Sequence, residues 1–260
     1  MIKVRGICLA VVGLFIVASV CAQSTGRQVT RQQLAWYSYN NTLEFSSKWT
    51  LTTELHEWRF RKPDAQQQAH ASSHLHYALT EKWNASAGFS YFLQSPRALT
   101  AAERLTIPEL RPHIQIDYRQ PFRAFSIGHR LRVEERFIRN TANGELADGY
   151  TASYRVRYRL GLEYQVARLR QLPLKVKLSE EVYVKPASHV SHTLFDQNRL
   201  YVGMNYAVHK HANLEAGYMK LFQQRPAQHQ FLDREVLSFS VSHRIALKHK
   251  LKTEPEGEKM

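Results

Sequence analysis

A strict two-residue alternation, with arginine and glutamate confined to one side, constrains this chain more than any other feature. From Glu109 to Tyr118 it reads ELRPHIQIDY, with Glu109, Arg111, His113, Gln115 and Asp117 at odd positions and apolar residues between them. Ile127 to Phe137 repeats the pattern, setting Gly128, Arg130, Arg132, Glu134 and Arg136 against Ile127, Leu131, Val133 and Phe137. Tyr154 to Leu162 does so again, with Arg155, Arg157 and Arg159 opposite Tyr154, Val156, Tyr158 and Leu160. A helix would scatter these arginines around its circumference, whereas a strand places them all on one face.

Eleven such segments are expected, at 33–45, 50–60, 69–80, 84–93, 105–118, 124–138, 150–165, 172–184, 196–207, 212–223 and 233–246. They amount to roughly 60% strand, too much for an ordinary globular domain but what a closed barrel of tilted, bilayer-crossing strands requires. Short connections at 46–49, 81–83, 119–123 and 209–211 alternate with longer polar ones at 61–68, 94–104, 139–149, 186–195 and 224–232. Tight turns at one rim and long loops at the other describe an outer-membrane barrel. Single-chain bacterial barrels have even strand counts, so eleven implies a missed or merged strand, or an extra one from Gln23 to Gln32. The expected fold is all-β, an antiparallel transmembrane up-and-down β-barrel of about ten to twelve strands, with twelve slightly favoured. The alternative is a secreted sandwich or lipocalin-like barrel, whose apolar face would point inward and whose strands would mostly be shorter. Trp36, Trp49, Trp58, Trp83, Tyr118, Phe122 and Phe137 fall near segment ends, as interfacial aromatic girdles do.

Composition fits an exported barrel. The chain has 260 residues, 36 Lys plus Arg against 22 Asp plus Glu, a formal charge of +14, and a mean hydropathy of −0.44. That excludes a polytopic helical transporter. The longest apolar run, Ile7 to Val20, follows Lys3 and Arg5 and precedes a small-residue cleavage pattern. It is shorter than the roughly 18 residues a spanning helix needs, so residues 1–22 read as a signal peptide cleaved before Gln23. A lipoprotein signal ending at Cys21 is the competing reading, disfavoured by the bulk of Val20. Both cysteines, Cys8 and Cys21, lie in this leader, which rules out a disulfide framework in the remainder. The expected organisation is a leader at 1–22, a barrel at 23–247 and a polar tail at 248–260. Export argues against nucleic acid as the partner of the surplus positive charge.

The chain resembles a bacterial family known as domain of unknown function 2490. The resemblance rests on the Trp36 strand, Glu109-x-Arg111, His129-Arg130-x-Arg132-x-Glu134-x-Arg136-Phe137, the Tyr154-Arg155-x-Arg157-Tyr158-Arg159 run, Glu181, and Asn198-Arg199-Leu200-Tyr201-x-Gly203. It implies an outer-membrane β-barrel and no particular activity. One departure is that many such barrels end on an aromatic residue read by the assembly machinery, whereas this chain runs on in a polar tail from Lys248 to Met260.

If the apolar face meets lipid, the polar face lines a lumen. Its bases are Arg111, Arg130, Arg132, Arg136, Arg155, Arg157, Arg159, Lys175, Lys177 and Arg199, and its acids are Glu44, Glu54, Glu109, Asp117, Glu134, Glu181 and Glu215. The first expectation is an ion-pair network filling a narrow barrel, since open aqueous channels appear at about 16 to 18 strands. The core of that network is expected to be Glu109, Arg111, Asp117, Arg130, Arg132, Glu134, Arg136, Arg155, Arg157, Arg159, Glu181 and Arg199. The alternative is a narrow pore with a mild preference for anions.

His70, His74 and His76 share one strand face and are weak metal candidates, with His56 opposite them. Neighbours two apart on a strand are about 7 Å apart, so three on one strand cannot close around a single ion, and no metal or other cofactor is expected. A lipid-modifying hydrolase or acyltransferase would need a nucleophile, a base and an orienting group. Ser126 and His129 alternate onto opposite faces, and Ser191-His192 has no identifiable partner, so no catalytic residue is assigned. The expected partners are outer-membrane lipids and the barrel-assembly machinery, with a small solute as a further candidate.

Overall fold

The computed structural model describes residues 27–95, 105–186, 194–225 and 229–247. The expected leader at 1–22 and the expected polar tail at 248–260 lie outside the described residues. Eleven strands form one closed barrel: β1 (Gln28–Glu44), β2 (Trp49–Arg61), β3 (Asp64–Ala78), β4 (Trp83–Gln94), β5 (Ile107–Pro121), β6 (Phe125–Ala142), β7 (Glu145–Leu169), β8 (Leu172–Val184), β9 (Phe195–His209), β10 (Ala212–Gln224) and β11 (Gln230–Ala246). All eleven expected segments are present.

Eleven lies within the expected ten to twelve strands, and only the slight preference for an even count of twelve is corrected. Of the candidate extra strand from Gln23 to Gln32, the part from Gln28 extends β1 instead, and residues 23–26 lie outside the described residues. Each strand pairs antiparallel with its sequence neighbour, so after ten reversals the last strand runs in the same direction as the first. β1 and β11 therefore close the barrel in parallel, in unbroken register from Gln28↔Gln230 to Glu44↔Ala246. Side chains specify this seam on both faces. Inside, Asn40 donates to Ser240 at 2.8 Å, Arg234 donates to Gln32 at 2.8 Å, and Leu34 and Val236 are fully buried together. Outside, Tyr37 stacks on Phe239 at 5.8 Å.

Five tight turns lie at one rim, joining β1 to β2, β3 to β4, β5 to β6, β7 to β8 and β9 to β10. The other rim holds the remaining connections, two of which are shorter than expected. The loops expected at 61–68 and 139–149 are mostly strand, leaving only residues 62–63 and 143–144 between elements. At the second, Asn143 (φ 53°) and Gly144 (φ 82°) both occupy the left-handed region that a two-residue hairpin turn requires.

Alternation sorts the side chains as a barrel requires. Inward positions include buried Glu109, Arg111, His113 and Gln115, while Ile114 between them is 63% exposed. Leu55, Phe89, Tyr91, Leu131, Tyr158, Met204 and Phe239 are likewise exposed on the outer wall. The polar face is inside, which excludes the sandwich and lipocalin-like alternatives, since both bury their apolar face. A small apolar cluster of Leu34, Trp36, Phe60, Leu221 and Val236 occupies the interior beside β1, β2, β10 and β11. Trp36 and Trp58 thus correct their expected place in an interfacial girdle. Both stand on inward positions, paired in register, and their rings stack at 3.8 Å.

Tyr201 is laid flat against the inner wall by two glycines. A Cβ at either Gly203 or Gly217 would collide with its ring, and its hydroxyl donates to Glu215 at 2.7 Å. Gly217→Val should displace the ring, break that bond and destabilise the barrel by about 1–3 kcal/mol, the usual range for overpacking. Urea unfolding followed by tyrosine and tryptophan fluorescence measures this, and an unchanged midpoint would show that Tyr201 does not depend on the glycine platform.

Candidate functional site

The inward residues of β5 to β9 build a charged layer across the interior. Strand alternation delivers Glu109 and Arg111 from β5, Arg130, Arg132, Glu134 and Arg136 from β6, Arg155, Arg157 and Arg159 from β7, Glu181 from β8 and Arg199 from β9. Glu109 receives Arg111 at 2.6 Å and the Nε and Nη2 of Arg136, at 2.7 and 3.0 Å, and also accepts from Gln94. Glu134 is bound by Arg155 and by Arg157 at 3.1 Å, with Arg111 at 3.8 Å. Glu181 accepts from Arg130 at 2.9 Å, Arg157 at 3.0 Å and the Tyr183 hydroxyl at 2.9 Å. Arg157 therefore ties Glu134 to Glu181, and Arg155 ties Glu134 to Asp196 at 3.3 Å. Charge-assisted and bidentate contacts of this kind are the strongest hydrogen bonds available to side chains.

Four members of the expected network, Asp117, Arg132, Arg159 and Arg199, stand differently. Arg132 donates to Gln115 at 2.7 Å, and Gln115 in turn donates to Asp117 at 2.6 Å, so these two charges are linked through an amide. Arg199 lies over Tyr183 at 4.7 Å and over Trp36 at 5.1 Å, joining the charged layer to the apolar cluster across the interior. Arg159 has no carboxylate in ion-pair range among the described residues. Nearer the tight turns, Lys175 and Lys177 meet Glu163 and Glu215, with Lys177 to Glu215 at 2.6 Å. Glu44 pairs with Arg244 at 3.2 Å.

Sequence reasoning missed Asp196, Tyr183 and Lys185. Asp196 is even-numbered on a strand whose inward residues are odd, and it enters the lumen because a bulge at Tyr183/Val184 buries two consecutive residues, Asp196 and Gln197. There it binds Lys185 at 2.8 Å as well as Arg155. Tyr183 shares the face of Glu181, so alternation alone could have found it.

The histidines form a polar stripe on the opposite wall. His56 and His70 are register partners with rings stacked at 4.1 Å, and His74 Nδ1 lies 2.7 Å from His113 Nε2. Glu54 stands 3.4 Å from His56 and 3.6 Å from His74, while His76 contacts Asn84 at 3.2 Å. Among the described residues no three His, Cys, Asp or Glu side chains converge on a possible metal position. Ser126 is inward and accepts from Arg119 at 3.2 Å, whereas His129 lies outside, 2.8 Å from the Tyr158 hydroxyl. Ser191 and His192 lie outside the described residues.

The layer leaves little room for water: Glu109 is 0% exposed, Glu134 and Asp196 1%, and Tyr183 0%, although all point into the barrel interior.

A family model described as "Protein of unknown function (DUF2490)" matches residues 33–232. No curated protein matches the sequence. Among solved structures, one titled "NanC porin structure in rhombohedral crystal form" is similar, with a TM-score of 0.51 and 11% sequence identity over 82% of this chain and 98% of that one. At that identity the likeness shows the fold alone.

Proposed function

Because the chain belongs to the DUF2490 family of proteins of unknown function, we propose a role from its geometry: a non-catalytic, integral outer-membrane β-barrel with a lumen closed by ion pairs. It serves as a structural or binding barrel rather than as an open conduit. The observation that carries this reading is the burial of Glu109, Glu134 and Asp196 to 1% exposure or less inside the barrel. A continuous water column at that level would wet them. The outer wall supports the membrane assignment, since its exposed leucines, phenylalanines and tyrosines would be costly to leave in water. Export through the leader and delivery to the barrel-assembly machinery belong to the same proposal, with outer-membrane lipids around the wall.

A narrow, anion-preferring pore is the second reading. It is favoured by Arg132, Arg159, Arg199 and Arg234, which point into the lumen without a carboxylate in ion-pair range among the described residues. Planar-bilayer recording of the purified protein separates the two. The closed barrel predicts no current above background, and reproducible anion-selective steps would establish the pore instead.

A further inference from the structure

At the rim opposite the tight turns, Arg59 pairs with Asp64 at 2.8 Å, Arg139 with Asp148 at 3.0 Å and Lys220 with Asp233 at 2.8 Å, while exposed Arg31 and Arg61 have no ion-pair partner among the described residues. At the tight-turn rim, every one of the five turns presents an exposed base: Lys48, Lys82, Arg123, Arg170 with neighbouring Arg168, and Lys210. None of these six has an ion-pair partner among the described residues. Glu81 is the only acid within the turns. The bases therefore form a ring of net positive charge around one end of the barrel.

Aromatic side chains stand directly beside this ring on the outer wall. Trp49 packs against Tyr77 and Trp83 against Tyr118, each pair at 4.7 Å, and Phe122 stacks on Phe125 at 4.3 Å. Trp49 and Trp83 are each 43% exposed. Aromatic rings favour the headgroup level, and bases just beyond them reach the phosphates. We propose that the tight-turn rim is a docking collar for an anionic lipid surface, its six bases contacting headgroup phosphates and its aromatics setting the depth of the barrel. This rests on the membrane-spanning reading above. Lipid is favoured over an acidic protein because the bases are spread around the whole circumference and backed by outward-facing rings, which matches an encircling leaflet rather than a single patch. Attraction between surface bases and anionic headgroups falls off within a Debye length and is screened by salt.

The test uses the full chain folded into vesicles of phosphatidylcholine alone or with phosphatidylglycerol. Phosphatidylglycerol should raise the equilibrium constant for folded, inserted protein by about tenfold or more at low salt, and high salt should abolish the gain. The combined K48Q, K82Q, R123Q, R168Q, R170Q and K210Q variant should lose it. An equal gain in wild type and variant would overturn the collar while leaving the barrel intact, whereas failure to insert into either vesicle would overturn the membrane-spanning reading and the collar with it. A second measurement needs no variant. Trp36 and Trp58 are lumenal and Trp49 and Trp83 are at this rim, so brominated phosphatidylglycerol should quench the exposed pair more than brominated phosphatidylcholine at equal mole fraction. Equal quenching would sink the proposal.

Discussion

Replacing Glu134 with alanine is expected to lower the free energy of unfolding by about 3–5 kcal/mol, the usual cost of leaving buried charges without their partner. Glu134 is 1% exposed and receives Arg155, Arg157 and Arg111. Its loss leaves Arg155 with Asp196, Arg157 with Glu181 and Arg111 with Glu109, but removes the carboxylate that joins these three pairs. Urea titration in vesicles checks the magnitude. The double variant Glu134→Ala with Arg155→Ala should recover part of the loss, because it removes a buried cation left with a single carboxylate, Asp196, which keeps Lys185 as its own partner. A single-variant cost below about 1 kcal/mol, within the range of exposed pairs, would mean that water reaches the layer and that it does not close the lumen.

The second large effect belongs to the outer wall. Ile114 lies near the middle of β5, points outward and is 63% exposed. Ile114→Arg is expected to cost about 2–4 kcal/mol in a bilayer, as for a cation at the midplane of a membrane barrel. The same change near the rim, at Tyr118, should cost much less, because the charge can reach the headgroups. Equal and negligible costs at both positions would place the outer wall in water.

The parts of this architecture legible in the sequence are those that depend on a single strand. The odd run from Glu109 to Asp117 specifies both a strand and its lumenal face, and the arginines of β6 and β7 follow the same logic. What escaped depends on relations between strands. The parity of the barrel is set by how β1 meets β11, through partners such as Asn40 and Ser240 some 200 residues apart. Asp196 is hidden by a bulge that exists only against β8. Trp36 and Trp58 look interfacial one at a time and become lumenal when their register pairs them. The β6–β7 hairpin is a different kind of miss, since Asn143-Gly144 is a strong local turn signal lying inside what was expected to be a long loop.

The most direct test of the central claim, a lipid-facing wall around a sealed lumen, is the accessibility of spin labels along β4 in vesicles. The only cysteines, Cys8 and Cys21, lie outside the barrel strands, and replacing both with serine lets single cysteines be placed without interference. Ala87, Phe89 and Tyr91 face outward, whereas Ser86 and Ser90 are buried inside at 8% and 3% exposure. The account predicts high oxygen and low nickel-chelate collision rates at the outward positions, and low rates for both reagents at the two serines. High nickel accessibility at Ser86 and Ser90 would contradict the closed lumen, and high nickel accessibility at Ala87, Phe89 and Tyr91 would contradict the membrane-spanning barrel itself.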